Sequence, residues 1–147
     1  FLRSKFGEEN SYNKGDSVNA IRWGLKTKNL ELYKKIISLI RMRKEHGAFR
    51  LTNNRFVTSS IRFIDTQVEG VIMYTLNMEY FRETKKDTWS NCLMIFNGTN
   101  TSQTITIPGE WKLVSMGKAQ ADTRVMKQIA VKAKEAMILA EVPERRW

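Results

Sequence analysis

From Asn29 to Gly47 the apolar positions recur at a helical spacing. In "NLELYKKIISLIRMRKEHG", Tyr33, Ile36, Ile37 and Ile40 fall on one side, joined by Leu32 and Leu39. This is the three-to-four repeat of a helix with a broad apolar stripe, and it predicts a helix over 30–46. Asn29 stands where an N-cap side chain accepts from a free first-turn amide. Arg41, Arg43, Lys44 and His46 fill the last turns, where cations favour the negative end of the helix dipole. Gly47 suits the left-handed residue that ends many helices. Before this helix, residues 1–28 read as loop with scattered anchors: Phe6, Tyr12, Val18, Ile21, Trp23 and Leu25.

After Gly47 the period changes to two. "FRLT" and "SIRFID" read as short extended runs, and "EGVIMYTLN" (69–77) and "NCLMIFN" (91–97) as central strands apolar on both faces. "TSQTITIP" (101–108) alternates, with Ile105 and Ile107 inward and Thr104 and Thr106 outward. "EWKLVSMG" follows a Pro108-Gly109 turn, with Trp111 in the core, and 128–133 and 136–142 complete the set. Residues 78–90 are too polar for a core strand and are expected to form an excursion at a hairpin tip, with Trp89 as the candidate exposed aromatic. Short strands at this spacing predict an antiparallel β-sandwich. Such a sandwich buries its own inner faces, which leaves the helix stripe without a partner. The expected partner precedes residue 1, and the bare stripe predicts self-association of the isolated chain.

Composition sharpens this picture only in places. Hydrophobic residues make up 41% and charged residues 27% of the 147 positions, as in an ordinary globular chain. No apolar run has the length of a membrane span. The chain starts at Phe1 and reads as a piece of a longer protein, for which a cytoplasmic and a secreted location both stay open. The lone Cys92 makes neither an internal disulfide nor a zinc cluster and is expected in the core. The net charge of +10 raises a nucleic-acid reading, but residues 1–50 hold 12 Lys and Arg against 5 Asp and Glu, whereas 51–147 hold 13 against 10. The excess sits on the loop and helix, with no zinc-finger spacing and no Arg-rich run, so nucleic acid is not expected as a partner. His46 has no other His or Cys near it in sequence, and no metal or cofactor is expected.

Five stretches together carry a resemblance. "ENSYNKGDSVNAIRW", "YKKIISLIRMRKEHGAFRL", "VIMYTLN", "FNGTNTSQTITIPGEWKLVSMGKAQ" and "IAVKAKEAMIL", in this order, resemble the C-terminal end of type I pullulanases, of the α-amylase superfamily, glycoside hydrolase family 13. The resemblance covers nearly the whole chain. It implies that residues 1–47 are the end of a catalytic (β/α)8 barrel, the loop after strand eight plus the last helix, and that 48–147 are an all-β C-terminal sandwich. It implies an intact enzyme that hydrolyses α-1,6 bonds in pullulan or starch-type α-glucans with retention. The two carboxyl groups this requires, about 5 Å apart, would come from barrel strands upstream, as active sites of such barrels lie at the strand C-termini. The YNWGYDP signature of pullulanases is also not in this sequence. The chain itself is then structural and non-catalytic, and its partners are the barrel and, in the intact enzyme, an α-glucan. Three positions depart from the pattern: the usual "HP" after the helix is His46-Gly47, a frequent Asp is Arg22, and Lys132 stands near a frequent Pro.

The same resemblance puts Asn10, Ser11, Tyr12 and Asn13 near the rim of the cleft, where a Tyr ring stacks on sugar and amides bond hydroxyls. Read from residue type alone, the same four serve to fold the loop. The sequons at Asn97 and Asn100 are read as turn residues. The alternatives are a stand-alone carbohydrate-binding β-module, marked by exposed aromatics, and a basic partner-binding module, marked by one continuous basic face.

Overall fold

The computed structural model describes residues 5–81, 87–115 and 118–142. It divides into two compact units, Phe1–Ile40 and Arg41–Trp147.

The first unit is not pure loop. Two single-turn helices, α1 (Asp16–Asn19) and α2 (Leu25–Lys28), interrupt it before α3 (Leu30–Glu45) begins. The helix predicted over 30–46 is therefore present. Asn29, expected as a side-chain cap, supplies its carbonyl to the N–H of Tyr33 at 2.9 Å. Leu32, Leu39 and Ile40 are exposed on α3, and Ile36 and Ile37 are half-buried.

The second unit opens with a 3-10 turn, Gly47–Arg50, where an extended run was expected. Gly47 does not take a left-handed conformation. Its role is space, because a Cβ there would overlap the ring of Phe81. A further helix, α4 (Asn54–Ser60), follows, and its periodicity is too short to read in advance. Asn53 caps it by accepting from the Arg55 N–H at 2.8 Å.

Among the described residues six antiparallel strands form one sheet: β1 (Ile61–Ile64), β2 (Val71–Asn77), β3 (Asn91–Asn97), β4 (Gln103–Ser115), β5 (Lys118–Val131) and β6 (Ala136–Glu141), ordered β1-β2-β3-β6-β4-β5. The antiparallel β expectation holds, but the layers come from one sheet that bends on itself. β6 pairs with β4 only at Lys112 and Leu113, while Gln103–Thr106 pair with β5 alone. Yet Ile105, Ile107 and Val131 share one core with Met73, Leu93, Ile95 and Leu139 of β2, β3 and β6. The first half of β4 and the end of β5 thus fold over the face of the other strands. The bend lies where the β4–β5 register shifts, with Gly109 (φ 72°) in one strand and Lys127 (φ 67°) in the other in the left-handed region. Pro108-Gly109 is therefore a bulge inside one long strand rather than a turn between two. Ile105, Ile107 and Trp111 are buried and Thr104 and Thr106 exposed, as the alternation predicts. β5 begins ten residues earlier than expected, because its first half is polar and gains its strand state from pairing with β4.

The opposite face of β2, β3 and β6 buries a second core. Leu76, Cys92 and Ala140 meet Met42, Ala48, Met78 and Trp89 there. This overturns the picture of 78–90 as a polar excursion. Met78, Asp87, Trp89 and Ser90 are all buried, while 82–86 lie outside the described residues.

Candidate functional site

The segment Asn10–Asn13 is shaped by its own polar groups. Asn10 Oδ1 accepts from the Tyr12 N–H at 3.0 Å, an Asx turn. Asn19, at the end of α1, donates its Nδ2 to the carbonyls of Ser11 and Lys14, both at 2.7 Å. Ser11 is buried as a result, and the Lys14 N–H returns to its carbonyl at 3.2 Å. Tyr12 is thrown outward, 94% exposed, and Asn10 and Asn13 are exposed beside it. Lys14 pairs with Glu8 at 3.4 Å. An open cleft is lined by Phe6, Gly7, Glu8, Glu9, Asn10 and Lys14. Arg22, where a carboxylate was the familiar residue, donates to the Ser17 carbonyl at 2.8 Å and lies over the Phe6 ring at 5.4 Å. It braces the loop. Trp23 is exposed.

His46 is placed by a different logic from the helix-end cation expected of it. Its Nδ1–H donates to Asp87 Oδ1 at 2.6 Å, and its ring stacks on Trp89 with centroids 3.7 Å apart. The Trp89 N–H donates to the same oxygen at 3.1 Å. All three residues are buried, and Asp87 Oδ2 has no hydrogen-bond partner among the described residues. Trp89, the candidate exposed aromatic, is only 3% exposed and closes the core instead. Asp87 lies 41 residues from His46, so no local pattern could pair them.

Aromatics do line one face of the sheet, at positions not singled out beforehand: Phe63 on β1, which is exposed, Tyr74 on β2, which is half-buried, and Phe96 on β3, which is 37% exposed. They could have been found only by knowing the register that brings them to one face. Burial raises the Tyr74 hydroxyl pKa, with a smaller push from Cys92. The Cys92 thiol is pushed up to about 12 by burial. It is an inert core group, as expected. Asn97 is buried and saturated: its Nδ2 reaches the carbonyls of Thr101, Val131 and Lys132, and its Oδ1 accepts from the Thr99 N–H and hydroxyl. Among the described residues no group of His, Cys, Asp or Glu is arranged to hold a metal, and no helix is long and apolar enough to cross a membrane.

Comparison with known proteins follows the same outline. Residues 25–147 match the family described as "Alpha-1,6-glucosidases, pullulanase-type, C-terminal". The chain is 29% identical over 143 residues to a pullulanase of Bacillus subtilis strain 168, covering 95% of this chain and 19% of that protein. The structure superposes on the pullulanase from Bacillus acidopullulyticus with a TM-score of 0.80 at 30% identity, over 95% of this chain and 17% of that one. It superposes equally, at 0.80 and 28% identity, on the type I pullulanase of B. subtilis complexed with maltose, over 97% of this chain and 20% of that one. The chain spans about a fifth of the length of the relatives it matches. The match over residues 25–147, most of the chain, shows that it belongs to the C-terminal family of pullulanase-type α-1,6-glucosidases.

Proposed function

We propose that this chain is the non-catalytic C-terminal end of a pullulanase-like debranching enzyme. The intact enzyme would cleave α-1,6 bonds in pullulan or starch-type α-glucans with retention of configuration. The observation that carries this reading is the match of residues 25–147 to the family, at about a fifth of the relatives' length. In this reading residues 1–47 complete a (β/α)8 barrel and 48–147 form the C-terminal β domain. The two carboxyl groups of a retaining glycosidase belong to barrel strands that this chain does not contain. Asn10, Ser11, Tyr12 and Asn13 form a rim segment, with Tyr12 as its outward ring and Ser11 holding the turn. The preceding barrel covers the exposed Leu32, Leu39 and Ile40, and without it the chain self-associates through them.

The test is a chimera. The corresponding C-terminal fifth of the B. subtilis pullulanase is deleted and then replaced by this chain. Loss of pullulan hydrolysis on deletion and its return in the chimera, with the isolated chain inert, supports the reading. An active deletion, or pullulan hydrolysis by the isolated chain, sinks it.

A further inference from the structure

Among the described residues the sheet leaves an apolar strip partly exposed, with Tyr74 half-buried and Phe96 37% exposed. Phe63 pairs directly with Tyr74, and Phe96 sits opposite Ile72, so the four side chains share one face across three strands. Ring centroids are 5.4 Å apart between Phe63 and Tyr74 and 6.1 Å between Tyr74 and Phe96, the latter pair within 17° of parallel. Phe63 is 75% exposed and Ile72 55%. At the end of this strip the β1–β2 turn opens into a cleft bordered by Phe63, Ile72, Asp65, Gln67 and Glu69. The turn is a built one. Gln67 is held at φ 56°, its N–H donates to Asp65 Oδ1 at 2.9 Å, and its Nε2 donates to Asp65 Oδ2 at 2.6 Å.

We propose that this strip and its turn are a binding surface for α-glucan chains. A pyranose has an apolar C–H face and a rim of hydroxyls. The aromatic row offers the first an apolar bed, with Tyr74 and Phe96 near-parallel and Phe63 tilted 52° to Tyr74, and the carboxylates and amide of the turn offer the second fixed acceptors and a donor. That combination of apolar lining with a few convergent polar groups is what ligand sites use. Two other occupants fit less well. Asp65 and Glu69 repel a phosphate backbone. An apolar protein surface would take both charged carboxylates out of water, with only Asp65 already hydrogen-bonded among the described residues, by Gln67, whereas sugar hydroxyls supply donors to both. The choice of α-glucan among saccharides rests on the reading under Proposed function; the aromatic row and its turn do not.

The experiment is electrophoresis of the whole chain through gels with and without amylopectin, with α-cyclodextrin as competitor. The expected result is retardation by amylopectin that α-cyclodextrin relieves. Phe63→Ala and Phe96→Ala each raise the apparent dissociation constant at least tenfold, with Tm unchanged for Phe63→Ala, whose side chain is 75% exposed. Thr104→Ala, at an exposed position of β4 outside the strip, leaves retardation as it was. An unretarded wild-type chain, or Phe variants retarded like wild type, overturns the proposal. So does retardation by a soluble β-glucan alone, which would also remove the α-glucan reading while the chimera result still stood or fell by itself. Dispersal of a dimer by Phe63→Ala, with no glucan effect, overturns it in favour of a second copy of the chain.

Discussion

His46 lies face to face with Trp89, centroids 3.7 Å apart, while its Nδ1–H is held 2.6 Å from Asp87. The last turn of α3 is pinned to the residues that enter β3 by this arrangement. Removing one member of a buried pair strands the other, at a cost of about 3 kcal/mol. His46→Ala and Asp87→Ala should each lose about that much in urea unfolding. The double variant should lose at least 1 kcal/mol less than the sum, since contacting residues couple by about that amount. Additive losses would show that the two residues act separately.

Gly47 faces the ring of Phe81 with no room for a methyl group. Gly47→Ala should therefore destabilise by about 1–3 kcal/mol through overpacking, although alanine is otherwise favoured in a helical turn. Phe81→Leu in the same chain should restore part of the loss. Gly15, with open space around it, serves as a control whose alanine variant stays within about 0.5 kcal/mol. Equal Tm values for the Gly47 and Gly15 variants would refute the crowding argument.

Asn97 donates to three carbonyls and accepts from Thr99. A carboxylate there would face those carbonyls with no proton to give. Asn97→Asp should cost more than Asn97→Ala at pH 7, by at least about 1 kcal/mol. The gap should shrink as pH falls and the new acid becomes a donor. Chemical denaturation at pH 4 and 7 measures it, and a pH-independent gap would count against the network.

Cys92 is pushed up to about 12 by burial, from 9.0. The thiol therefore stays protonated in the fold while the unfolded chain releases its proton above about pH 9. The unfolded state then binds fewer protons, so stability is full below pH 9 and falls as pH rises toward 12. The slope approaches about 1.4 kcal/mol per pH unit. Tyr74 is raised in the same direction and adds to the loss above pH 10. Cys92→Ala should flatten the slope between pH 9 and 10, read by urea unfolding at fixed temperature. An unchanged slope would show that the thiol is not its source.

The parts of the fold legible in the sequence are those whose periodicity is settled locally. The α3 stripe and the cores of β2, β3 and β6 need no partner to be recognised. The bend of β4 and β5 is not local: Pro108-Gly109 has the chemistry of a turn, and only pairing with Lys127's strand makes it a bulge. Trp89 was misread because its neighbours 82–88 are polar, while its own ring is drawn inward by a histidine 43 positions away. In the candidate sites, the Asx turn at Asn10 was readable from residue type. The row of Phe63, Tyr74 and Phe96 was not, since a shared face depends on strand register.

β6 is the last described strand in chain order, yet it lies in the middle of the sheet, between β3 and β4. A ribosome therefore releases two unjoined sheet fragments, β1-β2-β3 and β4-β5, and holds back the strand that links them. Each fragment keeps an open edge until Ala136–Glu141 emerges, which makes closure a late, long-range step of the kind that slows folding. A chain stopped just before Ala136 would lose six residues of strand and, with them, the continuity of the whole domain.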